Sequence, residues 1–319
     1  MLDLITMGEV LIDFVPFKKG VSLKENQGFF REPGGAPANV AVGVAKLGGK
    51  AAFLGKIGQD FFGDYLLDIL RANGVELSGV VRTDQAKTAL AFVSLTEEGE
   101  RDFVFYRQPS ADMLYRPDEL KSDLFSKAKI FHFGSISMIN SPFRETTIKA
   151  LAQAKANNKL ISFDPNLRPF LWPDLELAQT NILQGLKHAD IVKVSKEELE
   201  FITGESDLDQ GSAAMLKYGL QLLFVTLGAD GCYYRNSKFA NTISGFPVKV
   251  EDTTGAGDGF MAGVLYKIAV DYGGNINLLG ENDLNQIALF GNATGALTTT
   301  GKGAINSLPL IITVKEFLG

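Results

Sequence analysis

The sequence predicts an α/β protein on a largely parallel sheet, with a smaller β-sheet beside it. Three observations carry this. Short apolar β-rich runs alternate with helix-patterned stretches along most of the chain, two stretches break that alternation by running strand to strand, and glycine is concentrated at a few places. The 34 glycines in 319 residues are about 11% of the chain against an average near 7%, so their positions carry information.

In chain order, strands are expected at residues 4–8, 51–57, 130–133, 160–164, 191–194 and 222–226. Residues 37–47 set Val40, Val44 and Leu47 on one helical face, with Pro37 in the first turn, where its missing N–H is harmless. Gly48-Gly49 stops that helix. Residues 62–72 repeat the pattern with Leu66, Ile69 and Leu70 inward, and Asn73-Gly74 stops it. The two excursions fall at about 10–32 and 87–108, the second containing a hairpin turn at 97–100. A small sheet packed on the core is the expected arrangement; antiparallel edge strands of the main sheet are the alternative.

Composition excludes several function classes. Lys+Arg 31 against Asp+Glu 37 gives a net charge of −6, with no basic excess for nucleic acid or an anionic membrane. One cysteine, Cys232, forbids an intrachain disulfide and suits a reducing compartment, and two histidines leave little for imidazole metal centres. The N-terminus has an acid at Asp3 and no basic stretch, and no apolar run approaches the ~18–20 residues of a membrane span. A cytoplasmic protein is expected.

The sharpest motif is Asp252-Thr253-Thr254-Gly255-Ala256-Gly257-Asp258-Gly259, running directly into an apolar helical stretch. A helix starting near Gly255 would aim the N–H groups of Ala256, Gly257 and Asp258 at an anion, and the missing side chains permit close approach. Asp258 in that first turn either serves as a base beside a phosphate or merely complements the helix dipole. Established phosphate motifs are absent: Gly49 stands where a P-loop needs lysine, and Phe260 where a dinucleotide fingerprint needs glycine. Pro33-Gly34-Gly35-Ala36-Pro37-Ala38-Asn39 opens the first long helix with bare backbone and one amide, and reads as a hydroxyl-recognition site or a simple turn and helix start. Phe163-Asp164-Pro165-Asn166-Leu167-Arg168 follows a strand, where α/β proteins bind ligands. His132 reads as a satisfied strand-end histidine, and Trp172 as pocket wall or packing.

Together these segments resemble the ribokinase-like (PfkB) family of carbohydrate kinases, over essentially the whole chain. Gly34 to Ala41 through Gly55-Lys56-Ile57-Gly58-Gln59-Asp60-Phe61-Phe62-Gly63 looks like the family's N-terminal signature, and Asp252 to Asp258 like its C-terminal one. Gly8-Glu9-Val10-Leu11-Ile12-Asp13-Phe14 and the segment from Phe163 to Arg168 look most like fructokinases, with ketodeoxygluconate kinases sharing parts. The resemblance implies one ribokinase-like domain over residues 1–319, with a three-layer α/β/α core and a β-sheet lid. It implies an ATP-dependent kinase, most simply for the 6-hydroxyl of fructose, with ketodeoxygluconate, ribose or a nucleoside as sibling substrates and an inactive sugar-binding regulator as the rival of another class.

By the same resemblance, Asp13, Gly34, Gly35 and Asn39 contact the sugar, Asn166, Arg168 and Arg107 line its pocket, and Asp258 is the base. Gly255, Ala256 and Gly257 form the anion hole, while Lys193, Thr226, Gly228, Gly231 and Asn292 border the nucleotide. The family's N-x-x-E motif for magnesium reads Ser195-Lys196-Glu197-Glu198, keeping the acid and replacing Asn by Ser; Glu198 is expected to act on Mg²⁺ through water. A K⁺ site is implied near Asp252, Thr254, Gly303 and Ser307. Unpaired lid edges lead to the expectation of a homodimer.

Overall fold

The structure, a computed structural model, describes residues 1–18, 20, 22–95 and 101–319; the expected turn at 97–100 lies outside the described residues. The chain begins β1 (Leu2–Met7), β2 (Leu11–Pro16), β3 (Phe29–Gly34), α1 (Ala36–Lys46), β4 (Ala51–Gly58), α2 (Phe61–Ala72), β5 (Val80–Thr83), β6 (Leu90–Leu95) and β7 (Arg101–Tyr106). It continues β8 (Ala128–Gly134), α3 (Phe143–Ala156), β9 (Leu160–Asp164), α4 (Leu175–Leu186), β10 (Ile191–Ser195), α5 (Lys196–Thr203), α6 (Leu208–Leu216) and β11 (Leu222–Thr226). It ends with β12 (Gly231–Asn236), β13 (Ala240–Ser244), α7 (Ala256–Tyr266), α8 (Glu281–Thr298), α9 (Ala304–Ser307) and α10 (Ile311–Leu318).

The main sheet has nine strands in the order β13-β12-β11-β10-β9-β8-β1-β4-β5. All neighbours from β11 to β5 are parallel, while β12 and β13 add an antiparallel hairpin at one edge. Period-two alternation divides the strand side chains between two apolar cores. Leu4, Phe53, Ile130, Ile191 and Phe224 face one, with Val40, Val44, Leu66 and Val264 from the helices above. Ile5, Leu54, Phe131, Val192 and Val225 face the other, with Leu151, Ile182 and Leu199 below. Strands buried on both faces between helix layers make the three-layer α/β/α arrangement.

The second sheet has four strands in the order β3-β2-β6-β7 and is separate from the first, so the excursions form a small sheet of their own and are not edge strands of the core. Aromatic contacts hold it: Phe14 stacks on Phe92 at 4.8 Å between centroids and meets Phe62 of α2 edge-on at 5.7 Å. Arg31 lies 3.6 Å above the Tyr65 ring of the same helix, and Glu32 accepts a hydrogen bond from Asn306 at 2.8 Å. No strand is expected over residues 231–244, yet β12 and β13 form the antiparallel edge of the main sheet there.

The helix boundaries follow local chemistry. Asp60 caps α2 through the amides of Phe62 and Gly63, and Asn73 closes it. Gly35, at φ 109, precedes α1 and its Pro37. Both α1 and α7 therefore begin over the carboxyl ends of the central strands, the crevice where ligands bind in open α/β sheets.

Candidate active site

At the start of α7, Gly255 takes the left-handed conformation at φ 78, and no side chain caps the helix. The amides of Gly257 and Asp258, in the first turn, have no intrahelical acceptor by construction. Ala256 differs from expectation. Its N–H already donates to the Thr253 carbonyl at 3.3 Å, because the left-handed residue folds the chain back into a tight turn. The anion seat therefore rests chiefly on Gly257 and Asp258. Gly255 is required by space as well as φ, since a Cβ there would lie 2.6 Å from the Ala304 Cβ of α9.

Asp258 is buried, and its Oδ2 accepts a 2.7 Å hydrogen bond from Asn39 Nδ2 of α1. Burial pushes its carboxyl up to about 6; the Asn39 hydrogen bond opposes this, the Asp164 charge adds to it, and Lys193 and Arg168 pull back. A carboxylate poised near neutrality beside an anion seat is the arrangement of a general base. Of the two readings of Asp258, the dipole partner would be solvated at the surface; this residue is not.

Lys193 supplies fixed positive charge. Its Nζ lies 2.9 Å from Asp164 Oδ2, both side chains buried, and a Cβ on Gly257 would stand only 3.0 Å from that ammonium. Burial alone would lower the Lys193 pKa, but the charges of Asp164 and Glu198 and the hydrogen bond to Asp164 raise it overall, so the ammonium persists. An anion on the α7 amides would meet a lysine at close quarters.

The residues expected on the sugar side are placed as follows. The Asp13 carboxylate of β2 lies against Gly34, where a Cβ would sit 2.3 Å from its Oδ2. Gly35 packs its bare Cα on the Glu9 carbonyl. Asn166 holds φ 43 and donates its amide to Asp164 Oδ1 at 3.1 Å. Arg168 folds back on the Leu167 carbonyl at 3.2 Å. Arg107, just past β7, is buried against Asp112, with Nε 3.1 Å from Oδ2. A cavity of about 210 Å³ adjoins it, walled among others by Phe105, Ile136, Ile139 and Phe170. Trp172 packs with Ile139 and Ala178, the packing alternative. His132 bonds Ser162 Oγ at 2.9 Å, and burial lowers its pKa to about 4.

Ser195 is the N-cap of α5 in a capping box: its hydroxyl accepts from the Glu198 amide at 3.1 Å, and Glu198 Oε2 accepts from the Ser195 amide at 2.8 Å. Serine is among the favoured N-cap residues. Glu198 Oε1 also accepts from the Leu167 amide at 2.7 Å, tying the loop of Asn166 and Arg168 to α5. Burial raises the Glu198 pKa, with Lys193 opposing.

The described residues contain no cluster of three His, Cys, Asp or Glu able to hold a metal. Direct coordination by a protein cage is thus absent among them, whereas Glu198 and Asp164 suit magnesium retained through its water shell. Asp252 gathers part of the expected K⁺ loop: Oδ1 accepts from the Thr254 amide and hydroxyl, and Oδ2 from the Gly303 amide at 3.0 Å. Ser307 donates to the Lys302 carbonyl at 2.9 Å in the same loop.

On the nucleotide side, Thr226 ends β11, and Gly228 (φ 62) and Gly231 (φ 104) shape the following turn. Asn292 donates its side-chain amide to the Ile243 and Ser244 carbonyls at 2.9 and 3.1 Å, which ties α8 to the end of β13. Sequence reasoning missed Asp164 as partner of Lys193, Asp112 as partner of Arg107, and buried Glu9. An ionisable residue directly after an apolar strand was the available signal for Glu9 and Asp164.

Comparison with known proteins agrees with this geometry. The model of the pfkB family carbohydrate kinase matches residues 1–311. A probable fructokinase-3 of Arabidopsis thaliana is 51% identical over 316 residues, covering 99% of this chain and 91% of its own. Fructokinase-2 of Solanum lycopersicum is 52% identical over 307 residues, covering 96% and 93%. Among solved structures, the fructokinase of Xylella fastidiosa with bound ATP superposes with TM-score 0.89 at 37% identity, covering 100% of this chain and 98% of that one. A double mutant of the Vibrio cholerae O395 fructokinase, in fructose, ADP and potassium ion bound form, gives TM-score 0.90 at 34% identity, covering 100% and 99%.

Proposed function

The chain belongs to the pfkB family of carbohydrate kinases, and from that premise we propose that it is a fructokinase, transferring the γ-phosphoryl group of ATP to the 6-hydroxyl of D-fructose. The observation that carries the reading is Asp258: buried, raised to about 6, oriented by Asn39, and placed in the first turn of an uncapped helix.

Phosphoryl transfer asks the protein for alignment and charge dispersal more than for covalent chemistry. The Asn39 hydrogen bond occupies Asp258 Oδ2, which leaves Oδ1 for the sugar hydroxyl. As the hydroxyl oxygen bonds to the γ-phosphorus and the bond to the bridging oxygen of ADP breaks, the hydroxyl proton passes to Asp258. The Gly257 and Asp258 amides and the Lys193 ammonium offset the charge on the transferring group. Magnesium bound with the nucleotide would neutralise phosphate charge, with Glu198 and Asp164 holding its water shell. The loop of Asp252, Thr254, Gly303 and Ser307 is the proposed K⁺ seat. Asp13, Gly34, Gly35, Asn39, Asn166, Arg168 and Arg107 form the proposed sugar pocket, and the lid carrying Asp13 excludes water that Asp258 would otherwise activate.

We also propose a homodimer in which a second copy covers the lid, whose outer strands β3 and β7 each have an unpaired edge and expose Phe30 and Tyr106. Sedimentation of wild type and Phe30→Lys tests it: a monomeric wild type refutes the dimer. Among the described residues no helix is long and apolar enough to cross a membrane. With a single buried thiol at Cys232, we assign the protein to the cytoplasm.

An ADP-release assay with fructose, ketodeoxygluconate, ribose and a nucleoside tests the function. Fructose turned over fastest supports it; faster turnover of another sugar reassigns the substrate, and sugar binding without turnover removes the kinase reading.

A further inference from the structure

We propose that Glu9 is a positioning residue for the sugar pocket, holding the Gly34-Gly35 turn at the start of α1. This rests on the sugar-kinase reading of the pocket and adds a residue to it.

Glu9 lies between β1 and β2 and is 3% exposed. Its Oε1 accepts the amide of Ala36, the first residue of α1, at 3.1 Å. That amide immediately follows the two bare glycines, so the bond fixes the turn presenting Gly34, Gly35 and Asn39. A carboxylate there also complements the helix dipole. The backbone packs as closely as the side chain does: a Cβ on Gly35 would lie 2.4 Å from the Glu9 carbonyl oxygen.

The other oxygen, Oε2, is buried with no hydrogen-bond partner among the described residues. A carboxyl oxygen left so in a packed interior is unfavourable unless a nearby charge or a proton compensates it. Both are provided. The charged groups that act on Glu9 are Arg107 and Asp112, themselves a buried pair. Burial pushes the Glu9 carboxyl up to about 7, the Arg107 charge pulling down and the Asp112 charge pushing up. Arg107 is paired with Asp112 and acts on Glu9 through its charge. Ionised Glu9 grips Ala36 more firmly and attracts Arg107; protonated Glu9 does neither as well. The consequence is sugar affinity that improves as pH rises through 7, separate from the catalytic step at Asp258.

The test uses the full-length enzyme and whichever sugar the substrate panel shows to be turned over or bound. Sugar affinity is measured by calorimetry without nucleotide from pH 6.5 to 8.5, with kcat and both KM values alongside. Wild type is expected to bind sugar more tightly as pH rises. Glu9→Gln keeps an acceptor for Ala36 but removes the charge, so its affinity stays flat near the wild-type value at low pH. Glu9→Ala loses the acceptor: sugar KM rises about tenfold or more, while kcat and ATP KM stay within about threefold. Hydrogen exchange gives a readout independent of any sugar, and residues 34–40 are expected to exchange at least tenfold faster in Glu9→Ala, with Glu9→Gln restoring most of the protection. A Glu9→Gln enzyme that keeps the wild-type pH dependence, a Glu9→Ala enzyme that loses kcat and ATP affinity as much as sugar affinity, or unchanged exchange at residues 34–40 would each overturn the proposal.

Discussion

Replacing Asp258 by asparagine is expected to make the protein more stable and nearly inactive, and the size of each effect follows from one environment. The carboxyl is raised from an ordinary 3.8 to about 6 by burial, so ionising it in the folded state is unfavourable by about 2 pKa units. At 1.36 kcal/mol per unit this is about 3 kcal/mol at neutral pH. The sign is that of an acid with a raised folded pKa: below about 4 both states are protonated and no penalty exists, it grows as pH climbs to about 6, and it is constant above. Asparagine cannot ionise and still accepts from Asn39. The variant should therefore match wild type near pH 4 and exceed it by about 3 kcal/mol above pH 6.5, raising Tm by about 4 °C in a chain of this length. Turnover should fall at least about 10²-fold, with sugar KM little changed. Denaturant titrations at pH 4 and 7.5, together with steady-state kinetics, measure both. Equal stability at pH 7.5 would mean that Asp258 is not desolvated as described, and near-normal turnover would mean that it is not the base.

Other expectations follow from neighbouring contacts. The wild-type kcat/KM should fall on acidification with a midpoint near pH 6, only about one tenth of Asp258 being ionised at pH 5; a flat profile from 5 to 8 speaks against it. Asn39→Ala removes the 2.7 Å donor to Asp258, so the midpoint should move to higher pH, as a pH–rate titration reads directly. Lys193→Met strands Asp164 as an unpaired buried acid and should destabilise by about 3–5 kcal/mol in urea unfolding. Gly255→Ala combines φ 78 with a Cβ 2.6 Å from Ala304, so both stability and turnover should fall. Gly257→Ala meets only the movable tip of Lys193 at 3.0 Å, so the fold should survive while ATP KM rises about tenfold.

What the sequence determined by itself was local. Apolar runs marked the parallel strands, because a strand buried on both faces needs continuous apolar residues whichever neighbours it has. Asp252 through Gly259 marked an anion seat, because a helix start with bare amides is a property of adjacent residues. The capping box of Ser195 and Glu198 is local as well, since it involves only four consecutive residues, but it became visible only in the structure. Tertiary structure decided whatever depended on partners far along the chain. Asn39 and Asp258 are 219 positions apart, and only packing α1 against α7 makes them a hydrogen-bonded pair and strips the acid of water. The same holds for Lys193 with Asp164, for the charges of Arg107 and Asp112 that act on Glu9, and for the hydrogen bonds from Asn292 to the end of β13. Backbone pattern is written in neighbouring residues, but desolvation and charge pairing exist only once distant segments have closed around a group. The position of the proposed base was therefore in the sequence, and its raised pKa was in the fold.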